Sequence, residues 1–321
     1  MFTPHKIAII TDQNVGSLYP QYFEKWYPEV PKSVFAVAPG ENSKSMEEAM
    51  RLWQWLLNEQ FDKQCLIINF GGGVISDLGG FVASTFQRGI PFINVPTTLL
   101  AMIDAAIGGK NGVNLNQVKN MVGTICLPED VKIDIDLLKT LPQQQLLNGF
   151  GELVKYALIG NRNLWNEIKN MQSIHFQDIK KEWIDFCIGF KKQIVATDLY
   201  DRGPRRILNF GHTVGHAIES SMMAAKRPLS HGYAVAMGCV AEAYLSCQHG
   251  LISETEFREI KEVIFRLFDG ESLWKAINWE TTVNFCQYDK KNEGGHINIT
   301  MLEGIGKATP NHFVDAAEIN F

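Results

Sequence analysis

"INFGGGVISDLGGFVAS", residues 68–84, decides the fold: an apolar run stops at three consecutive glycines and resumes as a helix-like segment. A strand that ends in glycines and feeds a helix is the joint of a strand–helix–strand crossover, so it predicts a parallel sheet. The same joint leaves backbone N–H groups bare at a helix N-terminus, where phosphate binds. Gly71, Gly72 and Gly73 are therefore candidates for an anion cradle, although a tight structural turn would also use them. The stretch is neither GxGxxG nor a Walker sequence. Asp77 follows in the first helical turn, either as a partner for a ribose or as an acidic residue favoured there by the helix dipole.

Working outward, the same alternation repeats. "KIAIIT" (6–11), "SVFAVA" (33–38), "CLIINF" (65–70) and "PFINVP" (91–96) read as short buried strands, and "SMEEAMRLWQWLLNEQ" (45–60) as an amphipathic helix between them. "TDQN" (11–14) and "PGENSK" (39–44) close the first two strands, where open α/β sheets collect ligands. Past "TLPQQQ" (140–145) the texture changes to helical periodicity: "QLLNGFGELVKYALIG" (145–160), "IKKEWIDFCIGFKKQIVAT" (179–197), "HGYAVAMGCVAEAYLSCQ" (231–248) and "ETEFREIKEVIFRLF" (254–268). The expectation is an α/β chain: a Rossmann-like parallel-sheet domain over 1–141 and a mostly α-helical domain over 142–321, with a small accessory sheet near 296–310.

The 321 residues are 45% hydrophobic, enough for two cores. A net charge of -5 gives no footprint for nucleic acid, so an anionic ligand must meet local cations. The six cysteines lack CxxC spacing and read as reduced structural thiols. Neither a secretory leader nor a membrane span is visible, which places the expected protein in the cytoplasm.

The helical half carries the chemistry. "RRILNFGHTVGHAIES" (205–220) sets His212 and His216 four apart on one helix face; Glu152 lies in apolar "GFGELVKYAL", and His231 opens "HGYAVAMG". One carboxylate and two imidazoles make a catalytic zinc set with open coordination positions. Spacing alone pairs His212 with His216, while histidines on apolar helices also occur simply as satisfied core groups. Glu152 would be costly unpaired there. Lys155, three residues on, is its intrahelical ion-pair partner or a substrate-binding ammonium. "AMIDAAIGGKNGVNLNQVKNMVG" (101–123) holds Asp104, Lys110, Lys119 and Asn120 among too many turn-formers for a regular helix. It reads as a flexible cation-bearing loop, with 108–112 as a mobile piece over the substrate.

Together "GGGVISDLGGFVAS", "RGIPFINVPTTLLAMIDAAIGGK", "KNMVG", "LKTLP", "GELVKY", "RRILNFGHTVGHAIE", "HGYAVAMG" and "DKK" resemble, in order and spacing, the 3-dehydroquinate synthase family of sugar-phosphate cyclases. The resemblance implies a lyase of the shikimate pathway that converts 3-deoxy-D-arabino-heptulosonate 7-phosphate to 3-dehydroquinate and phosphate. The implied cofactors are catalytic NAD+ and a divalent metal, Zn2+ or Co2+. It implies metal ligands at Glu152, His212 and His231, with His216 on the substrate phosphate instead. Asp104, Lys110, Lys119, Asn120, Lys155, Lys191, Arg205 and Asn209 match active-site positions, and Lys290 or Lys291 matches a further lysine. Arg88 matches an arginine that reaches the neighbouring subunit's substrate, so a homodimer is expected. Asn14, Glu41, Lys44, Gly72, Gly73, Asp77, Thr97 and Thr98 match residues that grip NAD+.

The family usually has a further N-terminal segment, a glutamate at Tyr233, a threonine at Asn111 and Pro-x-Gly at 116–118. These departures bear on substrate fit and rate. Alternatives are a related cyclase with another sugar phosphate, which buried Arg205 disfavours, and a metal-dependent NAD polyol dehydrogenase.

Overall fold

The computed structural model describes residues 3–24, 26–116, 118–288, 292 and 296–319. The chain divides into two compact units, Met1–Leu141 and Pro142–Phe321.

The first unit contains β1 (Ile7–Asp12), α1 (Gln13–Leu18), β2 (Lys32–Val37), α2 (Met46–Asn58), β3 (Leu66–Gly71), α3 (Gly73–Thr85), β4 (Phe92–Pro96), β5 (Lys110–Leu115), β6 (Val118–Ile125) and β7 (Asp130–Val131). Five strands form a parallel sheet in the order β2-β1-β3-β4-β7. This is one of the two common doubly wound orders, and its direction reverses between β1 and β3, the position where such sheets bind ligands beyond their strand ends. β3 is buried at every residue, as a central strand covered on both faces must be. The adjoining core joins Ile10, Leu52, Leu56, Ile67, Ile75, Leu78 and Phe92. Ser45 caps α2 by accepting from Glu48 N at 3.2 Å, and Ala49, Leu52 and Leu56 supply its buried stripe.

Residues 101–125 are more ordered than the loop expected from their composition. Ala101–Ala105 form a π-helical turn, Gly108 and Gly109 take positive φ, and β5 and β6 then pair as an antiparallel hairpin. The flexible-loop reading is thus corrected. Asn111 Nδ2 donates to Gly109 O at 3.0 Å and Cys126 O at 2.9 Å, closing the hairpin's base, and Val113 is fully buried.

The second unit contains α4 (Gln143–Gly160), α5 (Arg162–Ile168), α6 (Lys181–Thr197), a 3-10 segment (Pro204–Asn209), α7 (His212–Ala224), α8 (His231–Gln248), α9 (Glu254–Phe268), α10 (Gly270–Ala276), α11 (Trp279–Cys286) and the hairpin β8 (Ile297–Gly304) and β9 (Lys307–Val314). α8 is buried along most of its length and packs against α4, α7 and α9. A helix apolar all round belongs at the centre of its unit. All six cysteines are free. No helix among the described residues is long and apolar enough to cross a membrane.

Candidate active site

In the first unit the candidate residues gather at the strand ends. α3 begins at Gly73 with Gly72 as a cap that offers no side chain, so its first N–H groups face outward unaided by a capping hydroxyl or carboxylate. Thr97 N donates to Gly71 O at 2.9 Å, tying the loop after β4 to the glycines that end β3, and Thr98 Oγ1 accepts from Ala101 N at 3.2 Å within that loop. Lys44 Nζ lies 2.5 Å from Asp77 Oδ2, and Glu41 Oε1 accepts from Asn114 Nδ2 at 2.9 Å. Asn114 also receives Asn120 N at 2.9 Å and donates its own N–H to Lys44 O at 2.8 Å. Asn14 is the second residue of α1, its N–H held by Asp12 Oδ1 at 2.9 Å. Glu41, Lys44, Asp77 and Asn120 are therefore one connected group. Lys110, Lys119 and Arg88 are exposed.

In the second unit three helices deliver a compact cluster. Glu152 lies midway along α4, His212 is the first residue of α7 with His216 a turn later, and His231 is the first residue of α8. Close backbone packing brings them together. A Cβ on Gly232 would lie 1.7 Å from Asn148 O, and one on Gly151 would lie 2.0 Å from Gly232 O, so α4 and α8 touch main chain to main chain beside Glu152 and His231. Gly211, ahead of His212, has φ +74 and its Cβ would meet Cys239 Sγ at 2.5 Å. Only glycine suits that turn and that contact.

Glu152 Oε1 lies 3.1 Å from Nε2 of both His212 and His231, while Oε2 lies 2.6 Å from Lys155 Nζ. The intrahelical Glu152–Lys155 ion pair is therefore formed, with both side chains 1% exposed. The far nitrogens are anchored too: His212 Nδ1 is 3.1 Å from Phe210 O, and His231 Nδ1 is 2.9 Å from Glu219 Oε2. Burial would raise the Glu152 carboxyl, but the charges of Lys155 and His212 hold it well below the usual carboxylate range. Burial pushes His212 down, against the pull of Glu152. It works on His231 in the same sense, yet hydrogen bonds to Glu152 and Glu219 and their charges carry that imidazole up to about 10.

An anionic carboxylate facing two imidazoles whose outer nitrogens are fixed by a carbonyl and a carboxylate is the donor set and outer shell that a divalent metal requires. His216 is exposed. Its ring centre stands 5.2 Å from that of His212 and 5.6 Å from that of His231, and the three imidazoles offer ligand atoms within 4.8 Å of one another. The contacts to Glu152 belong to His212 and His231.

Arg205 is 3% exposed on the 3-10 segment, with Nη1 donating to Leu199 O at 2.7 Å. Asp198 clasps the preceding turn, accepting from Arg202, Gly203 and Arg205 backbone N–H groups at 3.0, 2.7 and 3.1 Å. These bonds, the one from Arg202 foremost, hold its carboxyl below the usual range. Asn209 Nδ2 is buried with no hydrogen-bond acceptor among the described residues. Lys191 is buried on α6. Lys290 and Lys291 lie outside the described residues.

Two residues escaped the sequence reading. Glu219 holds His231, and Glu242, fully buried on α8, accepts from Gly211 N at 2.7 Å and Val214 N at 3.2 Å, capping the helix that begins with His212. Both are lone carboxylates in apolar helices, the signal that singled out Glu152. Glu219→Gln removes the charge behind His231 and should weaken divalent-metal affinity about 10- to 100-fold, read by competition with a chelating dye; unchanged affinity would remove Glu219 from the site. Glu242→Gln should lower stability by about 2 kcal/mol, visible as an earlier urea midpoint.

A doubly wound N-terminal unit followed by a helical unit is the fold of solved two-part sugar-phosphate cyclases. The chain is similar to solved 2-epi-5-epi-valiolone synthase from Streptomyces hygroscopicus subsp. jinggangensis 5008, a structure with NAD+ and Zn2+ bound: TM-score 0.88 and 26% identity, over 98% of this chain and 89% of that one. Models of the 3-dehydroquinate synthase N-terminal and C-terminal domains match residues 34–148 and 149–292. The 3-dehydroquinate synthases of Latilactobacillus sakei subsp. sakei 23K and Enterococcus faecalis OG1RF are 40% and 39% identical over 317 and 315 residues, each covering 96% of this chain and 86% of the relative. The chain belongs to the 3-dehydroquinate synthase family, as its motifs suggested.

Proposed function

We propose that this protein is a 3-dehydroquinate synthase, turning 3-deoxy-D-arabino-heptulosonate 7-phosphate into 3-dehydroquinate and phosphate with catalytic NAD+ and Zn2+ or Co2+. The observation that carries the reading is the convergence of Glu152, His212 and His231 within hydrogen-bonding distance, in a chain of this family.

In this proposal the first unit holds NAD+ through Asn14, Glu41, Lys44, Gly72, Gly73, Asp77, Thr97 and Thr98. Glu152, His212 and His231 of the second hold the metal. When bound, the metal supplies Lewis acidity to adjacent substrate hydroxyls, and NAD+ accepts a hydride and returns it.

The chain's own residues do the rest. Arg205 offers a buried planar fork to the substrate carboxylate. Asn209 Nδ2, a buried donor in want of an acceptor, suits a phosphate oxygen, and His216 and Lys110 add donors for the same leaving group. Asp104, Lys119, Asn120, Lys155 and Lys191 complete the polar surround.

Arg88 acts from the partner subunit of a homodimer. Its exposure on a left-handed turn (φ +67) leaves its side chain open to a neighbouring chain. Six free thiols suit the cytoplasm.

The test is incubation of purified protein with the heptulosonate phosphate, NAD+ and Zn2+. Phosphate and 3-dehydroquinate should appear in equal amounts without net NADH. Stoichiometric NADH would instead mark a dehydrogenase, and turnover of glucose 6-phosphate or sedoheptulose 7-phosphate alone would mark a different cyclase.

A further inference from the structure

At the opposite end of the parallel sheet from the glycine cradle, three side chains meet. β1 and β3 run parallel with Ile7 beside Leu66, and Leu66 N donates to Lys6 O at 3.1 Å. Lys6 and Cys65 immediately precede the two strands, and His5, one residue further back, brings its ring beside the Cys65 thiol. Asp62 begins the turn into β3: its carbonyl accepts from Cys65 N at 3.1 Å, and its Oδ1 from Gln64 N at 2.8 Å.

Cys65 Sγ stands 3.7 Å from His5 Nε2 and 3.4 Å from Asp62 Oδ1, while His5 Nε2 is 3.6 Å from Asp62 Oδ2. A simple ion pair would close further. His296–Asp315 and His249–Glu318 in the same chain stand at 2.7 and 2.8 Å. Nitrogen, oxygen and sulfur donors placed tetrahedrally 2.0–2.3 Å from zinc are about 3.3–3.6 Å apart. The separations, taken to Asp62 Oδ1 from Cys65 and to Asp62 Oδ2 from His5, are close to the edge lengths of a zinc tetrahedron, and one ligand atom from each residue lies within 4.8 Å of the other two.

We propose that His5, Asp62 and Cys65 form a second cation site, for a borderline-soft divalent ion of the zinc class, separate from the Glu152/His212/His231 cluster. Nitrogen, oxygen and sulfur together suit such an ion and not magnesium or calcium. The His5 and Asp62 side chains, each 53% exposed, leave the remaining position to water. Asp62 N donates to Cys65 Sγ at 3.3 Å, which favours the thiolate, and the nearby Lys6 ammonium is engaged by Glu59 O at 2.6 Å and Glu59 Oε2 at 3.2 Å. Burial pushes the Cys65 thiol up, so the ion displaces a proton and binds more tightly as pH rises. Its effect is to tie the segment before β1 to the turn before β3.

Cobalt separates the two sites, because the Glu/His/His cluster contains no sulfur. Metal-free protein titrated with Co2+ should develop a near-ultraviolet thiolate-to-cobalt charge-transfer band. That band should persist in His212→Ala, vanish in Cys65→Ser and need at least about tenfold more Co2+ in His5→Ala. Absence of the band in the unaltered protein, or its survival in Cys65→Ser, overturns the proposal. Should Cys65→Ser fail to fold, His5→Ala decides at an exposed position: unchanged cobalt affinity sinks the site.

Discussion

In His212→Ala, bound metal should fall to background and turnover should drop by at least about 10³-fold, because the Lewis acid contributes several kcal/mol to the transition state. His216→Ala should keep the metal and still lose turnover. The contrast rests on position. Both imidazoles lie on one face of α7, and it is the His212 Nε2 that lies 3.1 Å from the Glu152 carboxylate that His231 also faces, with its outer nitrogen against Phe210 O. Metal analysis of the two variants beside phosphate-release rates is the measurement. Equal metal loss in both would move the site onto the three imidazoles and release Glu152 from it.

Gly232→Ala should be nearly as damaging without removing any functional group. The added methyl would sit 1.7 Å from Asn148 O and 2.6 Å from its carbonyl carbon. These are backbone atoms that no rotamer change relieves, so α4 and α8 must part and Glu152 withdraw from His231. A cost of about 3 kcal/mol or more is expected, lowering the thermal midpoint by about 6–12 °C for a unit of this size together with metal affinity. Gly189→Ala is the control. A Cβ there meets nothing within 4 Å on α6, and the change should be neutral or stabilising by up to about 1 kcal/mol. A Gly232→Ala protein that melts like the parent and keeps its metal would refute this account of how the helices are joined.

Much of the architecture could be read from local pattern, and the exceptions have physical causes. β1 to β4 and α2, α4, α6, α8 and α9 announce themselves because burial on both faces, or on one stripe, writes a continuous or periodic apolar signal. The β5–β6 hairpin does not. Its base is held by the Asn111 amide and its sequence is polar and glycine-rich, so 110–125 imitates a loop. At the site, spacing sees only neighbours on one helix, which is why it pairs His212 with His216. His231 arrives through the glycine contacts of α8, a tertiary event no periodicity records; the residues marked it as a candidate, and the family resemblance put it in place of His216 among the metal ligands. Glu219 and Glu242 were open to inference by the test applied to Glu152, a solitary acid in an apolar helix, since each carries a buried duty as acceptor.

The guanidinium of Arg205 is carried on a short 3-10 segment tethered by Asp198, whereas the acid and imidazoles ride on α4, α7 and α8. On the proposed roles, recognition and reactivity have separate mounts. Mutational drift in 198–209 could exchange one anionic sugar for another while the reaction centre stays in register, and this division of labour offers one fold a route to several cyclisations.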